Sequence, residues 1–444
     1  MQEDQIWREK ASEPLRKAEV LHPRYRGKIE ILPKVPVSHY EYFSVWYTPG
    51  VSSACKKILE NSEKSFEYTS RWNTIAVVSD GTRVLGLGNI GPEAGLPVME
   101  GKSLLFKYLG GVDAFPICIS EKDPDRIISI VKALEPTFGG INLEDIEKPK
   151  CFHILERLRN ELSIPVWHDD QQGTATVILA ALINATEIAN KSLENLNIFI
   201  LGAGSAGIAT LRLLISAGLN PQNIIVADRK GLIHRERDDL EEKFGIYRDL
   251  LAKTNGRNRK GDFHEGFAGA DVFIGLSTPG PGVVRREDIK KMSKDAIVFT
   301  CANPTPEIWP WEAKEAGAKI VATGRSDFPN QVNNSIVFPG IFRGVLDVSA
   351  RTISDSMCLK VAQEIAKYAK NRGINEEYII PGMDEWEVFP RVAATAADTA
   401  TKEGIARKPL SFGEELENAT QIITRTRKLI ENLETLGYIE NYFT

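Results

Sequence analysis

The stretch N-I-F-I-L-G-A-G-S-A-G-I-A-T-L-R-L-L, residues 197–214, limits the fold more than any other. An apolar, strand-like run enters the turn Gly202-x-Gly204-x-x-Gly207 and leaves it as an alanine- and leucine-rich helical run. A second apolar run, I-I-V-A-D, ends at Asp228, roughly twenty positions further on. The glycines alone say little. With a strand before them, a helix after them and an acid at that spacing, they make a dinucleotide fingerprint. The glycines let the backbone approach a pyrophosphate, and the helix N-terminus favours its charge. A parallel Rossmann sheet follows, beginning near Leu193, with further strands expected at 271–276, 296–300 and 319–323.

Two acidic pairs stand outside that unit. Residues 164–176 read I-P-V-W-H-D-D-Q-Q-G-T-A-T, so an extended apolar run ends in His168, Asp169 and Asp170 before Gly173-Thr174 opens a helical pattern. Upstream, G-G-I-N-L-E-D-I places Glu144-Asp145 after another short apolar run. Adjacent carboxylates at a strand end are costly unless a cation sits there, and hard divalent ions take oxygen ligands. Each pair taken singly also fits a helix cap or a solvated turn. Two such pairs, both following strand-like runs, point to a metal.

At 444 residues the chain is long for one core, so two or three domains are expected. Net charge is −5 and no basic stretch is long enough to follow a phosphate backbone, which argues against nucleic acid. The five cysteines are odd in number and form no C-x-x-C pair, so neither zinc nor a disulfide framework is indicated. The opening M-Q-E-D-Q-I-W-R-E-K is unlike a signal peptide, and no apolar run approaches the ~20 residues of a membrane span. A cytoplasmic protein is expected. Residues 1–37 read as a charged arm that packs on a neighbour, followed by the aromatic stretch H-Y-E-Y-F-S-V-W-Y-T-P-G-V. β-Branched runs at 74–78 and 84–87 flank Asp80-Gly81, which is a hairpin signal. Strand, helix and strand are then expected at 113–119, 124–134 and 137–141. Beyond about residue 350 the pattern is helical, ending in an amphipathic stretch at 414–436. The expected fold is α/β: an N-terminal α/β substrate and metal domain (1–165), a Rossmann domain (166–350) and a helical C-terminal extension (351–444) on the core or a dimer interface.

In order along the chain stand Y-T-P-G-V, L-G-L-G-N-I-G-P-E-A-G-L-P-V-M-E-G-K, F-G-G-I-N-L-E-D-I, W-H-D-D-Q-Q-G-T-A, G-A-G-S-A-G, A-N-P-T-P-E-I and N-N-S-I-V-F-P-G. Together they closely resemble the malic enzymes, the short microbial form in particular, from about Tyr40 to Arg351. The resemblance implies oxidative decarboxylation of L-malate to pyruvate and CO₂, with reduction of NAD⁺ or NADP⁺, dependence on Mg²⁺ or Mn²⁺, and decarboxylation of oxaloacetate. Carried over motif by motif, Glu144, Asp145 and Asp170 would hold the metal, with Asp169 behind them. Lys102 would be the base and Tyr47 the acid. Arg83, Asn303 and Asn334 would touch malate, with Asn333 as a further contact. Gly202, Gly204, Ser205, Ala206, Gly207, Asp228 and Arg229 would bind the dinucleotide. The chain departs from the family at Gln172, where the microbial members usually carry histidine.

The chemistry suits these residue types. Malate can chelate one cation through its 2-hydroxyl and a carboxylate, and burial near a cation would bring a lysine toward the range of a useful base. At the nucleotide end the residues pull two ways. Asp228 favours NAD⁺ by accepting from ribose hydroxyls, whereas Arg229 and Lys230 would grip the 2′-phosphate of NADP⁺. A homodimer is the default assembly. Two other functions compete: a metal-independent two-domain dehydrogenase of the amino-acid type, and a non-catalytic dinucleotide sensor.

Overall fold

The structure is a computed structural model and describes residues 2–443. An opening helix α1 (Gln2–Tyr25) ends where the Tyr25 hydroxyl donates to the Glu440 carbonyl at 2.6 Å, tying the two ends of the chain together. A short helix, Tyr42–Trp46, and helix α2 (Val51–Glu60) follow, and neither buries a residue.

The first sheet comprises β1 (Thr74–Ser79), β2 (Asp113–Cys118), β3 (Gly140–Leu143) and β4 (Val166–His168), in the order β2-β1-β3-β4 and parallel throughout. Parallel strands need crossovers, here α3 (Gly91–Gly110), α4 (Pro124–Leu134) and α5 (Lys150–Glu161). Helix α4 shows the local logic. Asp123 accepts from Arg126 N–H at 3.0 Å as its cap, Pro124 opens the first turn, and Ile127, Ile128 and Val131 form the buried face.

The hairpin expected around Asp80-Gly81 does not form. Both edges of β1 are taken, by β2 and by β3, so no antiparallel partner can dock. Residues 84–88 instead close a loop through Val84 N–H to the Gly88 carbonyl at 2.9 Å. Strand β3 starts later than expected because Thr137 and Phe138 donate their N–H groups to the turn that ends α4.

Helix α6 (Thr174–Ile188) leads into the second sheet, whose order is β10-β9-β8-β5-β6-β7. Its strands are β5 (Ile198–Leu201), β6 (Ile224–Asp228), β7 (Gly231–Leu232), β8 (Val272–Gly275), β9 (Ala296–Thr300) and β10 (Ala318–Thr323). All are parallel except the short β7, which folds back on β6 through the two turn residues Arg229 and Lys230. Helix α7 (Ser205–Ser216) starts directly after the glycine turn.

Beyond the second sheet lie the longer helices α8 (Phe338–Asp347), α9 (Asp355–Arg372), α10 (Val388–Lys402) and α11 (Phe412–Thr435). Helix α8 returns to the first sheet, where Phe338 and Phe342 meet Phe106 of α3 at ring-centroid separations of 4.5 and 5.2 Å. Burying each such ring contributes roughly 1.5–3 kcal/mol, which is how the last part of the chain becomes part of the first core. No described helix is long and apolar enough to cross a membrane.

Candidate active site

Open parallel sheets bind ligands beyond the carboxyl ends of their strands, and the polar residues gather there. β3 runs straight into Glu144 and Asp145, and β4 into Asp169 and Asp170, which open one turn of π-helix, Asp169–Gly173. The two strands are paired neighbours, so their ends meet. One carboxylate oxygen each from Glu144, Asp145 and Asp170 lie within 4.8 Å of one another. Among the described residues no other group of three or more potential ligands converges in this way.

These carboxylates are not balanced. Glu144 and Asp145 are buried, Asp170 is about one-third exposed, and Asp145 Oδ2 has no hydrogen-bond partner. Burial pushes the carboxyls of Glu144 and Asp145 well above the usual carboxylate range, and neighbouring carboxylates, Asp170 among them, add to the push. Among the described residues Lys102, reaching in from α3, is the one ammonium paired with the cluster: it lies 2.6 Å from Asp169 and 3.0 Å from Glu144. Burial works against its charge, but Asp169 and Glu144 outweigh that and hold it above the ordinary lysine value. The donors are hard oxygens, convergent and short of positive charge, which fits a divalent cation of the Mg²⁺ or Mn²⁺ type.

The loops around the cluster are fixed by their own bonds. Asp80 accepts from Thr82 N–H and its hydroxyl, and pairs with Lys150 at 2.6 Å. Arg83 N–H donates to the Asp145 carbonyl at 2.9 Å, which places the exposed Arg83 residue beside the Glu144–Asp145 loop. Asn334 packs against Gly173, where an added Cβ would lie 3.0 Å from it. Asn333 spends its side chain on the loop instead, accepting from Ser335 N–H at 2.9 Å. Gln172 accepts from His168 N–H at 3.1 Å and so closes the π-type turn. His168 is fully buried, and burial lowers the pKa of its ring.

Tyr47 stands apart. Its ring is 72% exposed at the end of the short helix Tyr42–Trp46, and no described interaction joins it to Lys102 or to the carboxylates.

The second sheet supplies the dinucleotide end. Gly202 has φ of 122°, and a Cβ on it would collide with the Leu276 carbonyl. A Cβ on Gly204 would meet nothing within 4 Å, so its backbone faces open space in front of Ser205, Ala206 and Gly207 at the start of α7. Lys148, three residues beyond Asp145, donates to the Ala203 carbonyl at 2.9 Å and couples the two sheet ends. Asn303 is exposed in the loop after β9.

Two residues that sequence reasoning missed organise this end. Glu307 is fully buried and accepts from Ser277 N–H at 3.0 Å, Ala302 N–H at 3.2 Å and Thr300 Oγ1 at 2.9 Å, tying together the loops after β8 and β9. It was visible only as a letter in A-N-P-T-P-E-I, with nothing to show its burial. Arg237 lies in the charge run H-R-E-R-D-D and reads as a solvated loop residue, yet its side chain is only 7% exposed and grips Asp228.

The family model described as "Malic enzyme, N-terminal domain" matches residues 26–159, and "Malic enzyme, NAD binding domain" matches residues 171–401. An NAD-dependent malic enzyme of Geobacillus stearothermophilus is 51% identical over 86% of this chain and 78% of its own length. A bifunctional malic/malolactic enzyme of Bacillus subtilis (strain 168) is 46% identical over 92% of this chain and 97% of its own. The crystal structure of Entamoeba histolytica malic enzyme superposes with a TM-score of 0.93 at 48% identity, covering 96% of this chain and 89% of that one.

Proposed function

The chain belongs to the malic enzyme family, and from that premise we propose how its residues divide the work. The protein oxidises L-malate to pyruvate and CO₂ while reducing NAD⁺ or NADP⁺, and it requires a divalent cation. One observation carries the reading: three buried or half-buried carboxylates converge within 4.8 Å, one with an orphaned oxygen, between a paired lysine and an open dinucleotide turn.

Glu144, Asp145 and Asp170 hold the cation. When bound, it acidifies the 2-hydroxyl of malate and withdraws charge as the C4 carboxylate leaves. Lys102, as the neutral amine, would accept the hydroxyl proton, and Asp169, at 2.6 Å, keeps its side chain aimed. With the charge of the carboxylates neutralised, burial is left to act on Lys102 and brings it toward the range of a base. Arg83 offers a two-pronged grip on a malate carboxylate, and Asn303 and Asn334 donate from the facing loops. Tyr47 returns a proton to C3 of the enol. Its exposure means that this role requires the Tyr42–Trp46 arm to pack against a site in the assembled homodimer. The fingerprint glycines with Ser205 and Ala206 would hold the pyrophosphate, and Asp228 and Arg229 would bind at the adenosine ribose. Residues 1–165 thus supply Arg83, Lys102, Glu144 and Asp145, 166–350 the dinucleotide site together with Asp170, Asn303 and Asn334, and 351–444 a helical support. Action in the cytoplasm completes the proposal.

The test is reduction of each nucleotide, followed by its absorbance, with malate and Mn²⁺, together with a pyruvate assay. Activity abolished by a chelator and restored by Mn²⁺ supports the reading. Metal-independent oxidation of an amino acid, with none of malate, would replace it with the amino-acid dehydrogenase alternative.

A further inference from the structure

At the end of β6 the two oxygens of Asp228 are already engaged. Arg237 Nη1 donates to Oδ1 and Nη2 to Oδ2, both at 2.8 Å, and the backbone N–H of Lys230 adds a third bond to Oδ1 at 2.9 Å. The other edge of the same guanidinium is held by Asp239, through Nε at 2.9 Å and Nη2 at 2.8 Å. Asp239 in turn is paired with Lys230 and Lys243, each at 2.9 Å. Arg237 is therefore clamped on one edge by Asp239 and presents its second, two-pronged edge to Asp228. Planar two-pronged pairing is how arginine also binds a phosphate, and the adenosine ribose lies at this strand end in a Rossmann fold. Arg229 and Lys230 are not held in this way: Arg229 is exposed in the tight turn, and the Lys230 ammonium, a point charge without a fork, is taken by Asp239.

We propose that Arg237 determines the choice of nucleotide, because the Asp228 carboxylate and a ribose 2′-phosphate compete for the same edge of its guanidinium. In this chain Asp228 holds that edge, so NAD⁺ is favoured. A 2′-phosphate binds well only where the carboxylate is removed, and Asp239 then keeps the fork aimed. The inference rests on the dinucleotide site assigned above and is independent of malate chemistry.

The experiment measures calorimetric binding of 5′-AMP and 2′,5′-ADP to the full-length protein without malate or metal, beside a thermal melt. Wild type should prefer 5′-AMP. Asp228→Ser should shift the ratio of affinities toward 2′,5′-ADP by on the order of tenfold to a hundredfold, the worth of a charge-assisted pair. Adding Arg237→Gln to that variant should erase the gain. The isosteric Asp228→Asn should move the ratio the same way by less, and it stands in if the serine variant does not fold. A gain that survives the loss of Arg237, or a well-folded Asp228→Ser with no gain, overturns the inference and leaves the malate reading untouched. Wild-type protein that binds neither compound overturns the inference together with the dinucleotide site.

Discussion

Four carboxylates meet one ammonium at the end of the first sheet, whereas at the end of the second sheet two carboxylates meet an arginine and two lysines. In the first cluster Glu144 and Asp169 pair with Lys102, Arg83 lies near Asp145, and even so the carboxyls of Glu144 and Asp145 are pushed well above their usual range. In the second, Asp228 and Asp239 are both paired, and the three cations Arg237, Lys230 and Lys243 outnumber them. Burial alone would raise Asp228, but its bonds to Arg237 and to Lys230 N–H hold it below the ordinary carboxylate value. A buried cluster left short of positive charge is built to receive a cation. A cluster whose carboxylates are all paired is suited to choose among ligands by exchange of partners.

The largest effect should come from making the first cluster resemble the paired one. Asp145→Asn or Asp170→Asn removes a proposed ligand, and malate oxidation should be abolished while nucleotide binding persists. Near-normal turnover of either variant at low Mn²⁺ would break the contrast.

Next in size are the two proposed proton-transfer groups. Lys102→Ala should slow malate oxidation most, by ~10²–10⁴-fold, in the range typical of a lost base. Tyr47→Phe should instead impair the enol-to-keto step, and its defect should persist when oxaloacetate is supplied for decarboxylation. Equal effects of both variants on every partial reaction would remove the distinction between the two residues.

A third ionic cluster sharpens the comparison, because it has excess carboxylate without a convergent metal geometry. Arg343 of α8 pairs with Asp347, and Glu415 of α11 is buried beside them. Burial, reinforced by Asp347, pushes the Glu415 carboxyl up to about 9. A raised folded-state value means that the folded protein holds this proton more tightly than the unfolded chain. The associated stability is complete below the ordinary glutamate value of 4.5 and is lost as pH rises toward about 9. Glu415→Gln should remove that dependence. Its stability relative to wild type, measured by denaturant unfolding, should grow by up to about 1.4 kcal/mol per pH unit within the window. A pH-independent difference would contradict the assignment.

The smallest effect is expected at the hairpin turn. Replacing Arg229 and Lys230 with serine should raise the Michaelis constant for NADP⁺ more than that for NAD⁺, by a few-fold, since exposed charges contribute little. An equal change for both nucleotides would show that the pair does not face the 2′-phosphate.

What could be read from the sequence follows the range of the forces involved. The strand, glycine turn and helix at 197–214 are local patterns, and they fold as the spacing says. The two acidic pairs were legible because each follows a strand-like run, and strand pairing then brings the strand ends together; that Asp170 and not Asp169 joins Glu144 and Asp145 came from the family resemblance, not from spacing. The hairpin at Asp80-Gly81 failed because turn residues report the backbone and not which sheet edges are free; β1 had none. Arg237 was hidden for a similar reason, since its partner Asp228 lies across a turn and a short antiparallel strand. The exposure of Tyr47 has no sequence signature. An aromatic in an aromatic run reads the same whether its own chain covers it or not.

The central claim, that imbalance at the first cluster exists to hold a cation, is tested most directly by calorimetric titration of the metal-free protein with Mn²⁺. Wild type should bind one Mn²⁺ per chain in the absence of malate and nucleotide. Asp145→Asn should lose that site, and Asp239→Asn, in the paired cluster, should keep it. Undiminished Mn²⁺ binding by Asp145→Asn would contradict the account.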